Sequence, residues 1–222
     1  MSRLAAILGN FSPAVPEEQV AALNERGMTD LTSLSDETLL RRSAAADEAA
    51  FLELYRRRHP SIYRFALHMS GSAAVAEEVT QEVFMAVIRD AKRFDVNRGT
   101  AAAFLIGVAR NHVLKLLHRN RAYVGLEDEA VEPATAHEEV VTDLVRAEAI
   151  EKVRQAVLEL PAVYREAVVL CDLEEMSYAD AAQALSVPVG TVRSRIARGR
   201  ALLAQKLSRP GAQGFDSLRC FA

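Results

Sequence analysis

Apolar residues recur at every third or fourth position through most of this chain, and runs with the alternation of a half-buried strand are rare. The pattern predicts an all-α fold. Glycine and proline sit at a few joints between the periodic stretches. Asp36 can cap a helix over DETLLRRSA and Asp47 a helix over DEAAFLELYRRRH, in which Ala50 and Leu54 fall on one face. Pro60 is expected to open a further helix, SIYRFALHMSG, which Gly71 ends. In Ala76–Ile88, AEEVTQEVFMAVI, steps of 100° spread Val79, Val83, Phe84, Ala86, Val87 and Ile88 over a wide arc. One narrow stripe is left: Glu78, Gln81, Glu82 and Met85. It fits a solvated face, as most such stripes do; the sharper reading is a docking strip for a basic partner with Met85 as an adaptable apolar contact.

Another helix is predicted inside Phe94–Arg121. Asn97-Arg98-Gly99 reads as a turn, and Thr100 can cap the helix beyond it. Leu105, Ala109, His112, Val113, Leu116 and Leu117 form the core side, whereas Phe104, Gly107, Asn111, Lys115 and His118 share the other. An aromatic ring, an amide and cations on one face can stack on a base, hydrogen-bond it and hold a phosphate. The plainer alternative makes Phe104 ordinary core and the cations a solvated surface.

Ser177–Lys206 reads as a helix, a Val-Pro turn, and a second helix with four arginines, one lysine and no acid. That is the layout of a helix-turn-helix, whose second helix enters the DNA major groove. Val192, Ile196, Gly199 and Leu203 are expected to form a seam against Tyr178–Leu185, with Gly199 permitting close approach. The opposite face carries Thr191, Ser194, Ala197 and Arg198, flanked by Arg193 and Arg195. Arginine can read guanine bidentately, a helix N-terminus suits phosphate, and the Ala197 methyl can touch thymine.

Charge then divides the chain. The 222 residues carry a formal net charge of -3, yet between Val96 and Leu126 the only charged residues are Arg98, Arg110, Lys115, Arg119 and Arg121. Glu127–Glu151 is dominated by acids, and Val189–Lys206 is again purely basic. The organisation predicted is an N-terminal extension (1–35), a helical domain (36–122), an acidic flexible linker (123–139), a helix-turn-helix domain (140–208) and a tail (209–222). Residues 1–27 read either as an addition or as a matter of start site, since Met28 is itself a reasonable start.

Walker, GxGxxG, HExxH and nucleophile-elbow motifs are absent, and Cys171 and Cys220 have neither metal-ligand nor redox spacing. Cys171, in AVVLCDL, is expected to be a buried thiol. The N-terminus lacks the pattern of a secretory signal, and no apolar run approaches a membrane span. The expectation is a cytoplasmic protein that is not an enzyme, with no catalytic residue, metal or cofactor.

Taken in order, AEEVTQEVF, FDVNRGTAAAFLIGVARNHVLKLLHR and LPAVYREAVVL…MSYADAAQALSVPVGTVRSRIARGR resemble the sigma-70 family, specifically its extracytoplasmic-function (ECF) group. The resemblance covers roughly 36–207. It implies a region 2 bundle and a region 4 helix-turn-helix, and hence a subunit that directs bacterial RNA polymerase to promoters. By that resemblance Glu78, Gln81, Glu82 and Met85 meet the clamp helices of the polymerase largest subunit. Arg98, Gly99, Thr100, Phe104, Asn111, Lys115 and His118 serve the minus-10 element, and Thr191, Arg193, Ser194, Arg195, Ala197 and Arg198 the minus-35 element. The acidic linker would thread towards the polymerase channels, and an anti-sigma factor would supply control. The chain departs from the family where Phe104 replaces a frequent Trp and where members often carry a basic residue near Gly107. Two rivals predict different features. A regulator acting without polymerase needs a ligand or dimerisation domain, and a decoy that titrates an anti-sigma factor should lack the arginines that stand at 193–200. An isolated chain with this charge layout is expected to bind free DNA poorly until polymerase parts its domains.

Overall fold

The structure, a computed structural model, describes residues 31–90, 94–95, 99–123 and 141–208, with the side chains of 90, 120–123 and 141–147 excepted. Expectations that fall on residues 1–30, Arg98, the acidic stretch 124–139, and the tail with Cys220 lie outside these residues. The described residues hold helices and no strand. A 3-10 turn (Leu31–Ser33) leads into α1 (Asp36–Ala44), α2 (Glu48–Ser70), α3 (Ala73–Asp90) and α4 (Ala101–Tyr123). The second half contains α5 (Val141–Leu158), α6 (Ala162–Val168), a π-helical turn (Val169–Leu173), α7 (Tyr178–Leu185) and α8 (Val189–Leu207).

Local chemistry starts and stops these helices much as the sequence suggests, with two corrections. Ser35, not Asp36, caps α1, its hydroxyl accepting from the Thr38 amide. Asp36 is instead a buried carboxylate of the first turn that pairs with Arg57 and Arg58. Pro60 does not open a helix, because α2 runs unbroken through it from the Asp47 cap to Gly71. Proline cannot donate to the Arg56 carbonyl, a loss that costs a helix interior about 3 kcal/mol. The fully buried faces on either side, Phe51 and Leu54 before it and Ile62, Phe65 and Met69 after it, outweigh that cost. Gly71 ends the helix at φ 74, and a Cβ there would lie 2.9 Å from Leu158 Cδ1.

α1–α4 pack around Leu39, Leu40, Leu54, Phe65, Val83, Phe84, Leu105 and Val113, all almost wholly buried. Phe51 and Phe84 meet edge to face, with centroids 6.0 Å apart at 86°. Each such ring contributes about 1.5–3 kcal/mol relative to exposure. Arg57 fastens the leading turn to α2, donating to the carbonyls of Leu31, Thr32 and Leu34 at 2.8–2.9 Å and to Glu53 at 2.6 Å. In the second half α8 packs mainly on α6 and secondarily on α7. The predicted seam therefore has a different partner at Gly199, where a Cβ would come 2.6 Å from Val168 Cγ2 of α6. The two halves also touch: α7 lies on α4, and α2 meets α5, α6 and the π-helical turn.

Candidate nucleic-acid interface

Three faces can be followed from sequence to surface. On α3, Val79, Val83, Phe84 and Val87 are buried as the periodicity requires, while Glu78 and Gln81 are exposed and Glu82 and Met85 half-buried. The strip is thus a surface feature. It is flanked by cations, with Arg89 3.3 Å from Glu82 and Arg119 4.0 Å from Glu78.

Two groups secure the start of α4. Thr100 accepts from the Ala103 amide at 3.2 Å, and the Glu37 carboxylate of α1 accepts from the Ala101 amide at 3.0 Å. The latter bond holds the Glu37 carboxyl below its usual range. Leu105, Ala109, Val113 and Leu116 face the core, joined by Ala101, Ala103 and Ile106. Asn111, Lys115 and His118 are exposed. Phe104 is half-buried against Phe94, with ring centroids 5.5 Å apart. Phe94, Asp95, Thr100, Phe104, Asn111 and, from α7, Gln183 line a cavity of about 300 Å³. Gly99, at φ 152, adopts a conformation that side-chain-bearing residues avoid.

On α8, Val192 and Ile196 are buried and Gly199 sits in the seam. Arg193, Ser194, Ala197 and Arg198 are exposed, and Thr191 is half-buried in the first turn. α7, which supports this helix, is capped by Ser177, whose hydroxyl accepts from the Asp180 amide at 3.1 Å. Arg195 stands apart from the other candidates. It follows the outer face in sequence but precedes buried Ile196, and its guanidinium turns inward to within 3.9 Å of Glu166. Arg200, unassigned from the sequence, is tethered to Asp172 at 2.6 Å. Cys171 is half-buried, and burial pushes its thiol up to about 11, so the thiolate is scarce at neutral pH.

Sequence periodicity missed the charged groups that act between distant elements. Glu166, only 1% exposed, accepts from Arg110 at 2.8 and 3.2 Å, and Glu174 accepts from Arg64 at 3.0 and 2.7 Å. Buried acids in an apolar run such as YREAVVLCDLEE were the available signal, since a buried carboxylate needs a cation.

Comparison with known proteins places these faces in a family. The model "Sigma-70 region 2" matches residues 54–123 and "Sigma-70, region 4" matches 150–203. SigM of Mycobacterium tuberculosis, an ECF RNA polymerase sigma factor, is 34% identical over 173 residues, 78% of this chain and 85% of SigM. SigE of Mycolicibacterium smegmatis is 34% identical over 78% of this chain and 69% of its own length. SigW of Bacillus subtilis is 29% identical over 72% of this chain and 90% of SigW. The chain belongs to the sigma-70 family, in its ECF group. Among solved structures, CnrH in complex with the cytosolic domain of CnrY shares the fold at a TM-score of 0.59 and 24% identity, covering 78% of this chain and 96% of CnrH. The sigma factor RpoE, in complex with the anti-sigma factor NepR from Bartonella quintana, does so at 0.55 and 24% identity, covering 71% and 96%. Among the described residues no helix is long and apolar enough to cross a membrane.

Proposed function

We propose that this chain is a promoter-specificity subunit of bacterial RNA polymerase that acts in the cytoplasm and needs no cofactor. The observation that carries the reading is the ordered pair of exposed faces: the Glu78–Met85 strip in the region 2 half and the acid-free outer face of α8 in the region 4 half. Glu78, Gln81, Glu82 and Met85 dock on the clamp helices of the polymerase largest subunit. Thr191, Arg193, Ser194, Ala197 and Arg198 meet the minus-35 element, where arginine can read a guanine and the helix N-terminus can hold a phosphate. Thr100, Phe104 and Asn111 take unstacked minus-10 bases, with Lys115 and His118 towards the backbone. Arg195 supports the recognition helix from within. RpoE is found in complex with the anti-sigma factor NepR, and an anti-sigma factor that covers these faces is the simplest control for this chain.

Run-off transcription with core polymerase on a genomic library tests this directly. Defined start sites that share two spaced elements and depend on the added chain are expected. Polymerase that initiates no differently with the chain than without it would refute the reading, whether the chain were a decoy or a regulator acting alone.

A further inference from the structure

The start of α4 carries an anion supplied by the chain itself. Its first amide, that of Ala101, donates at 3.0 Å to the Glu37 carboxylate of α1, 64 positions earlier in the sequence. The third amide, that of Ala103, is taken by the Thr100 hydroxyl. Glu37 is held in place by its neighbours. Ser35 caps α1, Asp36 pairs with Arg57 and Arg58 of α2, and Leu39 and Leu40 are wholly buried. The Ala101 amide chiefly, and then Ser35 and Arg58, hold the Glu37 carboxyl below its usual range against the cost of burial. At neutral pH it is a carboxylate.

A helix start without such a partner binds anions, because its free amides and the positive end of its dipole draw phosphate. Single-stranded DNA offers a phosphate for every base. An unoccupied α4 N-terminus would therefore seize the strand by its backbone, at the end of the helix where Thr100, Phe104 and Asn111 are given unstacked bases. Lys115, exposed one turn beyond Asn111, offers the backbone a charge elsewhere. The helix so sorts the parts of a strand. Its first amides are satisfied from inside, then come a hydroxyl, a ring and a side-chain amide, and a cation stands last.

We propose that Glu37 is a positioning residue for minus-10 recognition: it occupies the α4 N-terminus, so that the strand enters by its bases and not by a phosphate. Glu37 touches no DNA. It acts through the Ala101 amide, beside the Thr100 hydroxyl that meets the strand. This deepens the reading of α4 as the minus-10 element's partner and rests on it. A staple that merely joined α1 to α4 would add stability and leave the way DNA is read untouched.

The test uses the full-length chain bound to core polymerase and two single strands: the minus-10 strand of a promoter found by run-off transcription, and oligo-dT of equal length. Glu37→Ala frees the Ala101 amide. Glu37→Gln removes the charge but keeps an oxygen that can accept from it. In Glu37→Ala the affinity for oligo-dT should rise about two- to fivefold at low salt, the worth of an anion at a helix N-terminus. The slope of log affinity against log salt should steepen by about 0.7, as one more phosphate is neutralised. Preference for the promoter strand should fall by at least the same factor. Glu37→Gln should restore the parent's slope and most of its preference. Glu37→Asp, which keeps the charge and falls a methylene short of the amide, should lie between alanine and the parent, and it serves where alanine loosens the fold. Amide hydrogen exchange, read by NMR on the free chain, follows the bond without DNA: Ala101 should be protected in the parent and in Glu37→Gln, and exchange faster in Glu37→Ala and Glu37→Asp. An unprotected Ala101 in the parent overturns the bond. Equal gains in Glu37→Ala and Glu37→Gln make the effect one of charge at a distance and overturn the blocking of the amide. An unchanged slope and preference in Glu37→Ala reduce Glu37 to a staple and overturn the positioning role. If no start site depends on the chain, the function proposed above falls and this role with it, even where Ala101 stays protected.

Discussion

Gly199 should resist alanine, although helix propensity says the opposite. In an exposed helix interior, glycine to alanine stabilises by about 1 kcal/mol. Position 199 is not exposed: a Cβ there would lie 2.6 Å from Val168 Cγ2, 3.4 Å from the Tyr164 carbonyl oxygen and 3.5 Å from Tyr164 Cβ. Carbon atoms are at ease about 3.5–4.0 Å apart, so α6 and α8 must separate by about 1 Å or Val168 must move. Val168 has little room to do so. It is 2% exposed, and its β-branched side chain favours one rotamer in a helix. Overpacking of this kind costs about 1–3 kcal/mol, which outweighs the propensity gain and leaves a net loss of about 1 kcal/mol. Val168→Ala removes the obstructing methyl. In that background Gly199→Ala should become stabilising by about 1 kcal/mol, a coupling of about 2 kcal/mol between the two sites. Equilibrium urea denaturation of the four proteins of the cycle measures it, with the m-value held constant. If Gly199→Ala stabilised the parent by the full propensity, or if the two substitutions were additive, the α6–α8 seam would be misplaced.

Further substitutions separate the remaining contributions. Arg198→Ala should weaken discrimination among minus-35 sequences by about 1–3 kcal/mol in a competition footprint, while polymerase binding is unchanged. Gln81→Ala with Glu82→Ala should do the reverse, lowering the affinity for core polymerase measured by sedimentation or fluorescence. Arg57→Ala abandons three main-chain carbonyls and two carboxylates, though Arg56 and Arg58 still serve Glu53 and Asp36. A loss of about 2–3 kcal/mol in chemical denaturation is expected. Burial holds the His59 and His68 imidazoles below their ordinary value, and for His68 the nearby Arg154 and Arg64 push the same way against Glu174. A base that protonates less readily when folded stabilises fully above about pH 6.5 and loses that contribution as pH falls below it. The Glu37 carboxylate has the same sense, its folded value also being lowered, here by the Ala101 amide, so its contribution too is lost on acidification, but only below about pH 4.5. Thermal midpoints should therefore drop between about pH 7 and pH 5.5, and His59→Gln with His68→Gln should flatten that drop.

Amphipathic period alone was enough for the helices and for much of the surface chemistry. The buried arc of α3 and the exposed stripe beside it come from 100° steps, as do Val192, Ile196 and the outer arginines of α8, because an isolated helix already decides which residues share a face. Capping at Asp47, Thr100 and Gly71 was legible for the same reason: the interaction spans at most four residues. Local rules failed where distant elements compete. Pro60 reads as a helix start in isolation, but the packing of Phe51, Leu54, Ile62 and Phe65 carries α2 through it. Asp36 reads as a cap, yet Arg57 and Arg58, more than twenty positions away, draw it into the first turn as an ion-pair partner. Arg195 reads as one more DNA-facing cation until Glu166 is placed behind it.

The sequence by itself determined the family, the helical class, and which two faces look outward, because each depends on the order and period of residues within one helix. Only the tertiary structure decided that α7 rests on α4, that Gly199 answers to Val168, and that Glu166 stands between Arg110 and Arg195. These facts join residues on different helices. The free energy that joins them, burial of charge and contact between backbones, has no signature in the spacing along any one of them.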